Sequence, residues 1–451
     1  MSMRLILCII ISLFALLTQV VFGAQQTKPQ TLEEIAGREK PPVQIPMLDL
    51  GLPIPIQYDD LDQFTLILGL SDAQQQEMKR LYKDYLSKFQ AASKKYAPDL
   101  QKRSIELGSK PIYDLSAFDE YQRSIELCDE YADVCASASA DFINKLSPLL
   151  SNIQSGSLDR VRNLTIRIQN ARCHMFDSGA SFDIERVLLR MIMLGPNATD
   201  LFHAVDNELL EYEVRATKLS REHVQCYRKS QIEGGKLQAQ AQLLITSQPD
   251  FESGNIPVDV REAAASLSRR RNELTNADLD VLEEWHRLNN DTSIRFASAL
   301  PSPWGNDIRS AFLQTAFPNI YPDPFNPYDA VQVILNATDL TSDLRTAILN
   351  QLAEYQSEEK AISEQMERVH LPVWFAVARH KVHPSSSEYS EYMKQMNKLQ
   401  DNRKSIASHV LDSILALIPE SHASVFSAAV NLWKDRAKQH VANDRMILYM
   451  P

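Results

Sequence analysis

His370, His380 and His383 are the residues whose type and spacing best suit metal chemistry. Imidazole nitrogens ligate Zn²⁺ and Cu²⁺, and the spacing of His380 and His383 can place two rings on one helix face. Pro384 and a serine run at 385–387 follow at once, so a hairpin tip carrying surface histidines is the competing reading. Cysteine chemistry comes next. Cys8 lies in the N-terminal apolar run, leaving Cys128, Cys135, Cys173 and Cys226, which permit two disulfides with three connectivities, or four free thiols. Cys128 and Cys135 are seven apart on one predicted helix, about 10 Å along its axis and beyond disulfide reach. Any bridge would therefore pair each of them with Cys173 or Cys226. No G-x-S-x-G, H-E-x-x-H, C-x-x-C or EF-hand pattern occurs, and Gly is only 12 of 451 residues, which argues against phosphate-cradling loops. Adjacent acids such as Glu283-Glu284 and Glu358-Glu359 read as solvated helix surface. No catalytic residue and no cofactor is expected from local pattern, although a site assembled between distant segments would leave none.

The elements that must position these residues are helices. Scarce Gly and the absence of sustained two-residue alternation point to an all-α fold. A leader at 1–23 and a Pro-rich extended linker at 24–56 precede three tandem helical-hairpin units at 57–178, 179–323 and 324–451. Each unit opens with an aromatic-Asp pair: Tyr58-Asp59, Phe182-Asp183 and Tyr328-Asp329. There Asp is expected to cap a short helix while the aromatic ring packs on the hairpin base. A polar break and a long amphipathic helix follow each time. In the first unit the returning helix carries Phe118, Tyr121, Ile125, Cys128, Ala132, Cys135, Ser139, Phe142 and Leu146, a three-four alternation that gives the seam of an antiparallel coiled coil. Pro98 is expected to kink or end the outgoing helix, and the run at 371–377 is the one stretch that could be extended.

At the first polar break, Leu70, Ser71 and Gln74 form the pattern L-[ST]-x-x-Q, which is also a capping box. The third unit keeps only Leu340-Thr341, and the second lacks the pattern. With the export signal and long hairpins, this resembles the LTxxQ-motif family of small periplasmic, Spy- and CpxP-like helical proteins. The resemblance implies a helical hairpin opened by the motif, and a role as an ATP-independent chaperone or a sensor of envelope or metal stress.

The leader has Arg4, an apolar run at 5–17 and Val21-Phe22-Gly23 before Ala24, the order of a cleavable secretory signal. The expected location is periplasmic or extracellular, with no stable membrane span after cleavage. A formal charge of −11 argues against nucleic acid as a partner. The sequence therefore points to an exported, non-enzymatic helical interaction protein that binds a protein or peptide in its helical grooves. A metal-binding envelope protein and an enzyme with a site assembled between units are the alternatives.

Overall fold

The first helix, α1 (Asp60–Leu68), stops where the chain needs a left-handed residue. Gly69 has φ 60°, its N–H reaches Leu66 O, and Leu70 N–H returns to Thr65 O. The computed structural model describes residues 52–447 apart from 110–115, 172–178, 181, 195–197, 247, 249–255 and 338–339. The described residues hold fourteen α-helices, one 3₁₀ turn and no strand, so the chain is all-α.

Three long antiparallel pairs dominate: α2 (Asp72–Ser109) with α3 (Ser116–Leu146), α8 (Asp206–Thr246) with α9 (Val258–Ala299), and α12 (Ser342–Ala378) with α13 (Ser387–Leu417). Short helices lead into them: α1, then α6 (Ile184–Leu194) with α7 (Ala198–Ala204), then α11 (Tyr328–Leu335). A 3₁₀ turn and α4 (Asn152–Ser155) follow α3 and lead into α5 (Leu158–Asn170). After α9 comes α10 (Trp304–Ala316), and after α13 comes α14 (Glu420–Ile447). Helix α5 crosses from the first pair to the second, packing on both α3 and α8.

From Ile125 onward the seam residues of α3 behave as their spacing requires, apart from Ala132, which is half-buried; the side chains of Phe118 and Tyr121 lie outside the described residues. Ile125, Cys128, Cys135, Ser139, Phe142 and Leu146 are all buried, facing Tyr82, Tyr85 and Phe89 of α2. The aromatic series continues outward through Tyr131 to Tyr96. The second core joins α6, α8, α9 and α10 around Tyr212, Trp285, Phe296 and Phe312, and extends to Met366 of α12 and Met396 of α13. The third gathers Ile348, Ile414, Phe426 and Trp433. Burying such side chains contributes about 1.5–3 kcal/mol each, which holds helices of this length together where intrinsic propensity does not.

One tyrosine on the outgoing helix of each pair ties down the segment before its short helix. The Tyr85 hydroxyl accepts Ile56 N–H at 3.0 Å, and the Tyr212 hydroxyl accepts Ile184 N–H at 3.1 Å. The Tyr355 hydroxyl donates to Asp323.

Several expectations are corrected. Helix α2 runs through Pro98, whose ring lies on the exposed side where a missing N–H is tolerated. Residues 371–377 are helical, Pro372 included, as the end of α12. The last residues of the expected linker are packed rather than free. Leu52 and Ile56 are buried, Ile54 N–H bonds Gln169 O at 3.2 Å, and Tyr82 donates to Ile56 O. Of the three aromatic-Asp openings only Phe182-Asp183 works as expected, with Phe182 buried and Asp183 accepting Arg186 N–H. Tyr58 meets Tyr82 of α2 edge-on at 6.1 Å but stays 53 % exposed, Asp59 makes no cap bond, and Tyr328 is 46 % exposed. At α1 it is Asp60, one residue later, that accepts Gln57 N–H.

Candidate functional site

Helices α3, α5 and α8 enclose an open groove of about 820 Å³. The α3 wall is built from small residues, Ala132, Ala136 and Ala140, with Ile143 beneath, because the large seam residues of that helix point to α2 instead. Ile166 of α5 and Val214 and Val224 of α8 supply the other apolar surface, Val214 being 63 % exposed. Charged groups of both signs stand around it. Arg228 reaches Asp129 at 2.8 Å, tying α8 to α3, and Arg162 bonds Asp159 at 2.6 Å. Asp133 and Arg221 also line the groove. Thr165, only 2 % exposed, borders it with its buried hydroxyl unpartnered among the described residues.

Beneath α5 lies a buried ionic joint to the second pair. Arg160 contacts Glu213 and Asp206, at 2.6 Å and 2.7 Å. Arg167 donates to Asp183 at 2.9 Å, to Thr217 at 2.8 Å, to Glu213 O at 3.2 Å and to Glu185. Burial opposes the charge on Arg167, but Asp183 and Glu185 more than offset it and hold the guanidinium protonated. Sequence reasoning missed this joint. Its signal was Arg160 and Arg167, seven apart beside the apolar stripe of Val161, Leu164 and Ile168, and Glu185 set between Ile184 and Leu188.

The motif residues form the capping box. Gln74 Oε1 accepts Ser71 N–H at 2.9 Å, and Leu70 is buried under it. Leu150-Ser151 and Gln154 repeat the pattern, which the sequence reading overlooked, and Ser151 caps α4 in the same way. The two boxes interlock. Gln74 Nε2 donates to Leu149 O at 2.7 Å and Gln154 Oε1 at 2.9 Å, while Gln154 Nε2 donates to Gly69 O at 2.8 Å. The motif is thus a clasp between the start of α2 and the approach to α5.

The expected metal triad is not assembled. His370 lies inside the α12–α13 seam, where its Nδ1 meets the Tyr392 hydroxyl at 2.8 Å and burial pushes its pKa down to about 4. His380 occupies the turn after α12 with φ 54°, and exposed His383 bonds Ser385 Oγ at 2.7 Å. The helix ends at Ala378, so the shared face that His380 and His383 needed does not exist. Among the described residues no group of three or more His, Cys, Asp or Glu is placed to hold a metal ion.

Cys128, Cys135 and Cys226 are free thiols, and Cys173 lies outside the described residues. Burial pushes Cys128 and Cys135 up to about 12, and Cys226 is raised by burial and by nearby Asp278. None is an activated thiolate. A buried pair the sequence did not suggest, His223 Nδ1 with Asp278 at 2.7 Å, joins α8 to α9 beside Trp285. No described helix is long and apolar enough to cross a membrane. Comparison with protein-family models, with curated proteins and with solved structures finds no match for this chain.

Proposed function

We propose that the chain is an exported interaction protein that holds a segment of a partner protein, including an incompletely folded one, in the groove between α3, α5 and α8. The observation that carries this reading is the groove itself, with its small-residue wall and its exposed Val214. Small side chains let another backbone approach closely, and apolar surface left open to water gains free energy when covered. The export assignment rests on the leader at 1–23, and the chaperone-like version adds the likeness of Leu70, Ser71 and Gln74 to the LTxxQ motif.

Ala136→Arg tests the groove, because Ala136 is exposed and the longer side chain fills the channel without entering the core. The wild-type protein at stoichiometric ratio should suppress aggregation of a chemically unfolded client. Ala136→Arg should lose most of that effect, and Ala361→Arg, on the exposed face of α12, should keep it. Equal activity in all three proteins rejects the groove, and inactivity of the wild type rejects the chaperone-like role.

A further inference from the structure

The joint where α5, α6 and α8 meet holds more carboxylates than cations. Arg160 and Arg167 come from α5, Asp183 and Glu185 from the start of α6, and Asp206 and Glu213 from α8. The other packed elements do not redress the balance. Arg186 of α6 turns to Asp60 of α1, α9 presents neutral Asn289 to Tyr212, and α10 presents Phe312 to Phe182. Asp206 is 41 % exposed and Asp183 partly so, which leaves Glu185 and Glu213 as the pair shut away from water.

Glu185 is wholly buried, and only one of its oxygens meets a donor. Arg167 serves Oε2, while Oε1 has no donor within reach among the described residues. Glu213 lies beside it as its hydrogen-bond partner, with its own Oε1 held by Arg160. Two carboxylates in contact inside a protein do not both stay ionised, and a buried oxygen without a donor is costly. One proton removes both difficulties, because a protonated Glu185 becomes the donor and Glu213 the acceptor. We propose that this joint closes with one proton bound, carried by Glu185 and donated to Glu213, and that it loosens as the proton is lost at rising pH.

The electrostatics agree in direction. Burial pushes Glu185 up, Arg167 pulls it back, and Glu213 and Asp183 push it up again; burial likewise raises Glu213. The sign follows from linkage. The unfolded chain releases this proton above the ordinary carboxyl range and the closed joint keeps it, so the joint is most stable in acid and weakens towards alkaline pH. The inference is independent of what the groove binds.

The test uses full-length protein and its Glu185→Gln variant, in which the amide donates to Glu213 and accepts from Arg167 without titrating. Infrared spectra at about pH 6.5, roughly two units above an ordinary Glu, should show a protonated-carboxyl band in the wild type that the variant lacks. Amide-exchange protection of residues 158–170, corrected for intrinsic exchange, should fall about tenfold or more between about pH 6 and pH 9 in the wild type, and stay flat in the variant. A missing band in the wild type, or parallel protection profiles, would overturn the proposal. If the variant does not fold, the wild type still decides: its band must be present at about pH 6.5 and fade together with protection as pH rises.

Discussion

The α12–α13 pair is gripped by a buried arginine of its own, whereas α8 of the α8–α9 pair is gripped by two arginines arriving from α5. Arg403 of α13 is 1 % exposed, donates to Glu359 of α12 and to Ile320 O at 2.8 Å, and stands 3.5 Å from Asp323. Asp323 also receives Phe325 N–H at 2.9 Å and the Tyr355 hydroxyl. Burial raises Asp323, but each of these donors is permanent at physiological pH. In the first joint Arg160 and Arg167 face Glu185 and Glu213 with Asp183 and Asp206, and the donor that completes the set is a proton. Both joints bury more carboxylate than guanidinium. One balances the excess with tyrosine and backbone, the other with an exchangeable hydrogen, and only the second is thereby tied to pH.

Removing the arginines gives the largest expected effects. Arg403→Met leaves Glu359, Asp323 and Ile320 O without their cation, and among the described residues no second guanidinium contacts Glu359 or Asp323. Breaking a buried pair in this way costs about 3–5 kcal/mol. Arg167→Met strips Asp183, Glu185 and Thr217 of the same kind of partner, but Arg160 stays on Glu213, so a loss near the lower end, about 3 kcal/mol, is expected. Chemical unfolding of the two variants at neutral pH measures the difference. Equal losses would mean that Arg160 gives no cover to the first joint.

Neutralising one carboxylate in each joint should give opposite signs. Glu359→Gln removes the negative charge on the oxygen that Arg403 meets through two nitrogens, and should cost about 1.5–3 kcal/mol. Glu185→Gln should cost nothing at neutral pH and stabilise in alkali, because its native partner state is already uncharged. Stability curves at about pH 6 and pH 9 separate the cases. A matching loss in both variants would make the two joints the same device.

How much of this was legible follows from which residues interact locally. The seam of α3 was readable because Ile125, Cys135, Phe142 and Leu146 obey helix periodicity within one segment, and the box of Ser71 and Gln74 spans a single turn. The joints were not, since Arg167 meets Glu185 18 residues away and Thr217 50 away, and Arg403 meets Ile320 83 away. Pattern also misled where exposure decides. Pro98 looked like a helix break and the run at 371–377 like a stretch that could be extended, yet a missing donor is a small defect in helices whose packing is set along their whole length. His380 and His383 share a spacing that means nothing once the helix has ended before them. The groove was foreseen only as a kind of surface. Its place depended on α5 crossing to α8, which no local signal announces.

The smallest effect concerns how α5 is delivered to the first joint. Gln74 and Gln154 each complete a capping box and each reach across to the other. Both glutamines are half-buried, so water replaces part of what is lost, and Gln74→Ala should cost about 1 kcal/mol, with Gln154→Ala similar. The informative quantity is the coupling. If the two side chains act as one clasp, the double variant should lose less than the sum of the singles by about 0.5–1 kcal/mol. Additive losses would mean two independent helix caps that happen to touch, and the first joint would then rest on its buried arginines alone. In the third pair Arg345 bonds Leu335 O and Ala337 O at the matching turn, so Arg345→Ala should show no coupling to any residue that follows α13.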